Sequence, residues 1–215
     1  MFLSRTLTRR TGLAAATATA ALVLAACGGG SDSSSHSGHD SAPASASADA
    51  NAAAHNAEDV SFAQGMIPHH QQALEMAGLA AGRASSAQVK DLASRIEKAQ
   101  NPEIATMTGW LKSWNADVPT SGSSMESMPG MDHSGHSGMP GMMAAKDMAA
   151  LKKATGKDFD TMFLTMMVEH HKGAVEMATT EKSNGKYGPA TGMADDIITA
   201  QNAEITEMNK LLGKS

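Results

Sequence analysis

Apolar residues along most of the chain recur every three to four positions, which is the period of an amphipathic helix. The pattern predicts four long helices and a short one, and no stretch alternates as a half-buried strand would. The predicted helices cover residues 58–83, 86–115, 144–154, 158–181 and 192–212. Segments rich in Pro, Gly and Ser at 118–141 and 183–191 are expected to be loops.

The helical pattern occurs twice, at an offset of 101 residues. Segment 62–77 reads FAQGMIPHHQQALEMA, and segment 163–178 reads FLTMMVEHHKGAVEMA. The register continues from IEKAQNPEIATM at 96–107 to IITAQNAEITEM at 197–208. Two helical hairpins joined by a long crossover predict an all-α four-helix bundle. Its expected bounds are 57–215, with repeat one at 58–115, the crossover at 116–157 and repeat two at 158–212.

Paired histidines lie on the apolar face of the first helix of each repeat. At 100° per residue, His69 and His70 both fall within the apolar arc of their helix. His170 and His171 take the same positions in the second copy. Methionines share these arcs, and they are Met66, Met76, Met167 and Met177. Two repeated carboxylates fall on the outer face and are expected at the surface, namely Glu75 and Glu176.

The partner helices carry polar residues within their own apolar arcs. These are Gln100 and Glu103 in the first copy, and Gln201 and Glu204 in the second. A buried amide or carboxylate is costly unless it is hydrogen-bonded or paired with a charge, so the facing imidazoles are the expected partners. The sequence therefore predicts a layer of His, Gln and Glu inside the bundle, flanked by Met. Such a layer is either a network that fixes helix register or part of a metal site.

The crossover contains a second concentration of methionine and histidine. Segment 128–143 reads MPGMDHSGHSGMPGMM, in which Met-Pro-Gly-Met occurs twice around two histidines. Because Gly, Pro and Ser intervene, these residues cannot form a core. Thioethers suit Cu(I) and, by the same softness, Ag(I), whereas imidazole also suits Cu(II). The alternative is low-complexity drift in a tolerant loop. The candidate ligands here are Met128, Met131, His133, His136, Met139 and Met142.

The first 26 residues resemble an export signal. Three arginines precede an apolar stretch at 13–26, which is too short to span a membrane. The quartet Leu-Ala-Ala-Cys, ending at Cys27, resembles a lipobox and predicts lipidation of that cysteine. The expected location is the outer face of the cell membrane or a periplasm-facing envelope. Residues 27–56 are Gly-, Ser- and Ala-rich and are expected to be a flexible tether.

Charge and composition narrow the classes of function. The chain has 17 Lys and Arg against 22 Asp and Glu, and loss of the signal removes three of the basic residues, which leaves a net charge of −8. That balance argues against nucleic acid, which needs a basic surface, and is compatible with attracting cations. Cys27 is the single cysteine, so soft-metal ligation would fall to the 17 methionines.

The segments Met-Ile-Pro-His-His-Gln and Met-Val-Glu-His-His-Lys, each followed by Ala and Glu-Met-Ala, resemble the bacterial family called domain of unknown function 305. The resemblance covers 56–212 and implies a ferritin-like four-helix bundle. Some members are periplasmic or surface copper-binding proteins linked to copper tolerance, which implies Met and His ligands here. The positions carried over are Met66, His69, His70, Met76, Met167, His170, His171 and Met177. The second copy departs from the first motif at Glu169 and Lys172.

These observations favour a membrane-anchored, extracytoplasmic copper binder that sequesters Cu(I) or Cu(II) or passes it to a copper-transfer protein, without catalysis. A di-iron oxidase is disfavoured, because its Glu-x-x-His motif is replaced by Met66 and Met167 three positions before the histidines. An envelope interaction module that binds no metal is the other alternative.

Overall fold

The structure, a computed structural model, describes residues 55–120 and 138–214. The helices of these ranges are α1 Ala57–Gly78, α2 Ala80–Arg83, α3 Ala87–Ser113, α4 Ala145–Leu151, α5 Gly156–Asn184 and α6 Gly188–Leu211. Among the described residues the β pairing is confined to an isolated bridge between Ala84 and Gly156. The predicted all-α class is therefore confirmed. The predicted export signal, Cys27 and four of the crossover ligands (Met128, Met131, His133 and His136) lie outside the described residues.

Helix α1 begins at a capping box. The Asn56 side chain accepts hydrogen bonds from the amides of Glu58 at 2.9 Å and Asp59 at 3.1 Å, and the Asp59 side chain accepts from the Asn56 amide at 2.6 Å. The ring of His55 stacks on Trp114 with centroids 4.6 Å apart. The sequence analysis assigned His55 and Asn56 to the end of the tether. Both belong to the folded domain, because Asn56 caps α1 and His55 stacks on Trp114.

The connection between α5 and α6 is much shorter than predicted. It comprises residues 185–187 instead of 183–191. Helix α6 begins at Gly188, so Pro189 lies in its first turn. A proline fits there because an amide proton in the first turn has no intrahelical acceptor. Helix α5 also runs three residues beyond its predicted end. Both differences lengthen the second hairpin.

Helices α1 and α3 form one hairpin, α5 and α6 form the other, and the hairpins meet mainly through α1 and α5. The C-terminal half of α1 packs with the N-terminal half of α5 in one apolar cluster. The N-terminal half of α1 packs with the C-terminal half of α5 in a second cluster, so the two helices run antiparallel. The histidine pairs at 69–70 and 170–171 lie between the two clusters along both helices. A polar layer therefore interrupts the core, as the helical arcs predicted.

Two buried aspartates join the hairpins reciprocally. Asp59 on α1 accepts from the amides of residues 186–187 in the other hairpin, at 3.0 and 2.9 Å. Asp160 on α5 accepts from the amides of residues 85–86, at 3.1 and 2.9 Å. Each group is shifted by the same 101 residues as the repeat. Hydrogen bonds to a charged acceptor are strong. The aspartate of each repeat therefore binds the loop that connects the two long helices of the other repeat.

A buried glutamic acid lies beside the first of these aspartates. Glu181 on α5 is fully buried, and neither of its carboxyl oxygens receives a hydrogen bond from the described residues. Burial, then the neighbouring carboxylate of Asp59, raises the pKa of Glu181 to about 8. Burial also tends to raise the pKa of Asp59, but hydrogen bonds from the amides of Tyr187 and Asn56 bring it below its ordinary value. At neutral pH the pair therefore holds one proton, carried by Glu181.

Candidate metal centre

The polar layer is centred on one contact between equivalent residues. His69 and His170, which occupy the same position of the two repeats, have ring centroids 3.7 Å apart, with the ring planes tilted by 37°. Both residues are buried. Since each lies against its own repeat equivalent, the pseudo-two-fold axis of the bundle passes between their rings.

An imidazole–carboxylate pair lies on each side of this contact. The Nε2 atom of His70 is 2.7 Å from Oε2 of Glu103, and that of His171 is 2.7 Å from Oε2 of Glu204. The imidazoles are fully buried, whereas the Glu103 and Glu204 side chains are 24% and 15% exposed. The predicted pairing across each hairpin is found for these two glutamates. The layer thus contains two partly exposed carboxylates and four buried imidazoles.

The hydrogen-bond partners define which ring nitrogens are free. Carbonyl and carboxylate oxygens only accept, so the Nε2 atoms of His70 and His171 donate to Glu103 and Glu204. The same holds for His69, whose Nε2 donates to the carbonyl oxygen of Pro140 at 3.1 Å. The Nδ1 atoms of these three histidines are buried with no partner among the described residues, and His170 has no such partner at either nitrogen.

Electrostatics keep the central imidazoles neutral. Burial, followed by the neighbouring His70, lowers the pKa of His69 to about 3, and only the Pro140 carbonyl acts in the opposite direction. Burial, followed by His69, lowers the pKa of His170 well below its ordinary value. Neutral imidazole is the form that binds metal ions. The central pair is therefore available to a metal without first losing a proton.

Two thioethers converge one helical turn from His69. A Cβ atom added to Gly65 would lie 3.6 Å from Sδ of Met139 and 3.7 Å from Sδ of Met177. Met139 is buried, and Met177 is half-buried against the second apolar cluster. The sequence analysis placed these methionines in separate groups, one in the crossover and one on the α5 face. The structure brings both to the α1–α5 contact, because the end of the crossover lies against that contact.

The other predicted residues of the layer are distributed differently. Met66 packs in the second apolar cluster, and Met76 and Met167 pack in the first, where they fill the core. Gln100 and Gln201 are buried, but their Oε1 atoms have no partner in the described ranges, so the expected amide–imidazole pairing is not found. Met142 is half-buried in the non-helical segment that precedes α4.

The two outer glutamates lie on the surface, as the helical arcs predicted. Glu75 is exposed and forms an ion pair with Lys152 at 2.5 Å, and Glu176 is exposed. Within the described ranges, no group of three or more His, Cys, Asp or Glu side chains is arranged to hold a metal ion.

Sequence reasoning missed the part of the site made by the main chain. The Pro140 carbonyl that binds His69 belongs to the second Met-Pro-Gly-Met of the crossover, which the analysis treated only as a source of side-chain ligands. The available signal was its position a few residues before a helix start, which brings the segment back to the bundle.

Among the described residues, no helix is both long and apolar enough to cross a membrane.

Residues 59–212 match the model of the family Domain of unknown function (DUF305), so the chain belongs to this family. A DUF305 protein of Streptomyces coelicolor, described as secreted, is 32% identical over 73% of this chain and 93% of its own, with a TM-score of 0.63. CopM in its Cu(II)-bound form is 38% identical over 71% of this chain and 94% of its own, with a TM-score of 0.59. CopM in its Cu(I)-bound form is 33% identical over the same shares, with a TM-score of 0.56. Among proteins with curated descriptions, none matches this chain.

Proposed function

We propose that this protein is an extracytoplasmic, membrane-anchored copper-binding protein that sequesters or delivers copper in copper tolerance, without catalysis. The expected ions are Cu(I) and Cu(II), and Ag(I) by the same softness. The observation that carries the proposal is the set of four buried imidazoles, each with a ring nitrogen that has no hydrogen-bond partner among the described residues, next to two converging thioethers.

The first argument concerns the buried lone pairs. A buried acceptor without a donor costs about 1–3 kcal/mol, and the layer contains such a nitrogen on each of its four imidazoles. If the layer served only to fix helix register, it would be expected to satisfy these atoms, as the reciprocal aspartates are satisfied elsewhere. A cation at the layer would accept the lone pairs and remove that cost.

The second argument concerns the carboxylates behind two of the imidazoles. Histidines that bind metals commonly donate their other ring N–H to a carboxylate or a carbonyl group, which fixes the tautomer and increases the basicity of the free nitrogen. His70 with Glu103 and His171 with Glu204 have this arrangement, and His69 has it with Pro140. In each of these histidines Nε2 faces the hydrogen-bond acceptor, so the other ring nitrogen, Nδ1, faces away from it.

The third argument concerns the choice of metal. Met139 and Met177 supply thioethers, which prefer soft ions. Zinc in structural sites takes thiolates, imidazoles or carboxylates in a closed tetrahedron, and no such cluster occurs in the described residues. The donor set therefore favours Cu(I) and Ag(I) at the thioethers and permits Cu(II) at the imidazoles.

The relatives support the same assignment. CopM has been solved with Cu(I), with Cu(II) and with silver bound. The Streptomyces relative is described as secreted, which agrees with the export signal expected in this chain. Anchoring rests on the lipobox at Cys27, and transfer to a copper-carrying protein partner is the delivery role within this proposal.

The test is a titration of the mature protein with Cu(I) against a competing chelator. We expect the variant M139L/M177L to bind Cu(I) more weakly, because two thioethers are lost while side-chain volume is nearly conserved. The matched control is Met76→Leu, which changes a core methionine outside the layer. Wild-type affinity no tighter than that of a scrambled crossover peptide would contradict the proposal. Iron-dependent oxygen consumption would contradict its non-catalytic part.

A further inference from the structure

The end of the crossover is bound across the layer as a strap, defined as Met139–Met143. The side chain of Gln72 on α1 holds both main-chain groups of Met143: its Oε1 accepts from the amide at 2.7 Å, and its Nε2 donates to the carbonyl at 3.0 Å. The Pro140 carbonyl accepts from His69 at 3.1 Å. Three hydrogen bonds therefore join the strap to α1.

On the α5 side, the strap approaches the helix main chain directly. A Cβ atom at Gly173 would lie 2.0 Å from the carbonyl oxygen of Pro140 and 2.4 Å from its carbonyl carbon. Gly141 has φ +76°, and a Cβ atom there would lie 2.7 and 2.8 Å from the carbonyl oxygens of Glu169 and His170. The clashing atoms belong to the backbone, so a side chain could not be accommodated by a rotamer change. Glycine at 173 is what permits the contact.

Gln72 and Gly173 occupy equivalent positions of the two repeats, 101 residues apart. One copy supplies the amide that binds the strap, and the other copy supplies the space in which the strap lies. The strap consequently breaks the pseudosymmetry of the layer. His69 is hydrogen-bonded to it, whereas its equivalent His170 has no partner at either ring nitrogen among the described residues.

We infer that Gln72 and Gly173 are positioning residues that dock the strap so that Met139 reaches the layer, and that this docking sets a preference for Cu(I) over Cu(II). The inference rests on the proposed function. Neither residue needs to touch the metal, because both act through the strap. The thioether of Met139 is what a soft ion gains from docking, while the imidazoles that suit Cu(II) are provided by α1 and α5 themselves.

The experiment measures Cu(I) and Cu(II) affinities of the mature protein and of the variants Gln72→Ala and Gly173→Ala. We expect each variant to bind Cu(I) about 10- to 100-fold more weakly, as is typical when a residue supporting a ligand is removed, and Cu(II) nearly as well as wild type. Equal losses for both ions, or no loss of Cu(I) affinity, would overturn the inference. The control is Gly192→Ala, a helical position with nothing within 4 Å of the added Cβ atom.

Docking is also measured without metal, by hydrogen exchange at the Met143 amide. Exchange should accelerate in both variants and stay unchanged in Met139→Leu, which keeps the strap bonds but removes the thioether. Unchanged exchange in Gln72→Ala and Gly173→Ala would overturn the positioning role even if copper binds. If exchange accelerates in both variants as expected but the wild-type protein binds no copper, the proposed function and the Cu(I) preference are overturned. The docking role would then remain intact.

Discussion

The buried carboxyl pair of Asp59 and Glu181 contributes a pH dependence of stability that one substitution can remove. Glu181 has an ordinary pKa of 4.5 and a pKa of about 8 in the folded protein. Above pH 4.5 the unfolded chain ionises this group and the folded protein does not, so the contribution of Glu181 to the free energy of unfolding falls as the pH rises to about 8. The loss is about 1.4 kcal/mol per pH unit, or roughly 3 kcal/mol by pH 7.

Replacing Glu181 with Gln removes this loss, because the amide is neutral in both the folded and the unfolded state. At pH 7 we expect Glu181→Gln to raise the free energy of unfolding by about 3 kcal/mol relative to wild type. For a domain of this size that corresponds to an increase in melting temperature on the order of 5–10 °C. At pH 4.5 the two proteins should differ little, since Glu181 is then protonated in the native state and only half ionised in the unfolded chain.

The assay is urea denaturation followed by circular dichroism, for both proteins, at intervals between pH 4.5 and 8. Glu176→Gln is the control, because Glu176 is exposed on the same helix and should show no such gain. A variant whose stability runs parallel to that of the wild type over this range would refute the reasoning. So would a variant less stable than wild type at pH 8.

Two further predictions concern the buried histidines and the reciprocal aspartates. The pKa of His69 is about 3 in the folded protein against an ordinary value of 6.5, so its contribution to stability should fall as the pH drops from 6.5 towards 3. The NMR resonances of the His69 ring should therefore not shift between pH 5 and 8. A titration midpoint near 6.5 would contradict this. Asp160→Ala removes the acceptor for the amides of residues 85–86 and should cost about 2–4 kcal/mol by urea denaturation, whereas Asp196→Ala, at an exposed position, should stay within about 0.5 kcal/mol of wild type.

Much of the architecture could be predicted because periodicity reports which face of a helix is buried. The apolar arcs placed His70 and Glu103 on facing surfaces, and the two side chains are in contact. The repeat offset then determined the second pair without new information. The same arcs could not separate core methionines from layer methionines, because angle around the axis does not report height along the bundle. Met76 shares an arc with His69 but packs two turns away.

Contacts made by the main chain were not predictable from side-chain patterns. The carbonyl of Pro140 and the amides of residues 186–187 carry no residue-type signal, since every position of a chain offers such groups. Glu181 was placed at the end of a predicted helix, where a carboxylate would be solvated. In the structure, α5 continues to Asn184, so Glu181 becomes an interior residue beside Asp59.

The reciprocal aspartates have a consequence for how such a bundle can arise. A single repeat carries both halves of the interaction, an aspartate near the start of its first helix and a pair of amides in its own connection, which its geometry directs to a partner hairpin. Two copies of one hairpin, related by a two-fold axis through the position of His69, would satisfy both sets of bonds at once, as in an isologous dimer. The present chain holds both copies in one polypeptide. The two halves can therefore differ, and the difference between Gln72 and Gly173 is one that a symmetric pair of identical hairpins could not have.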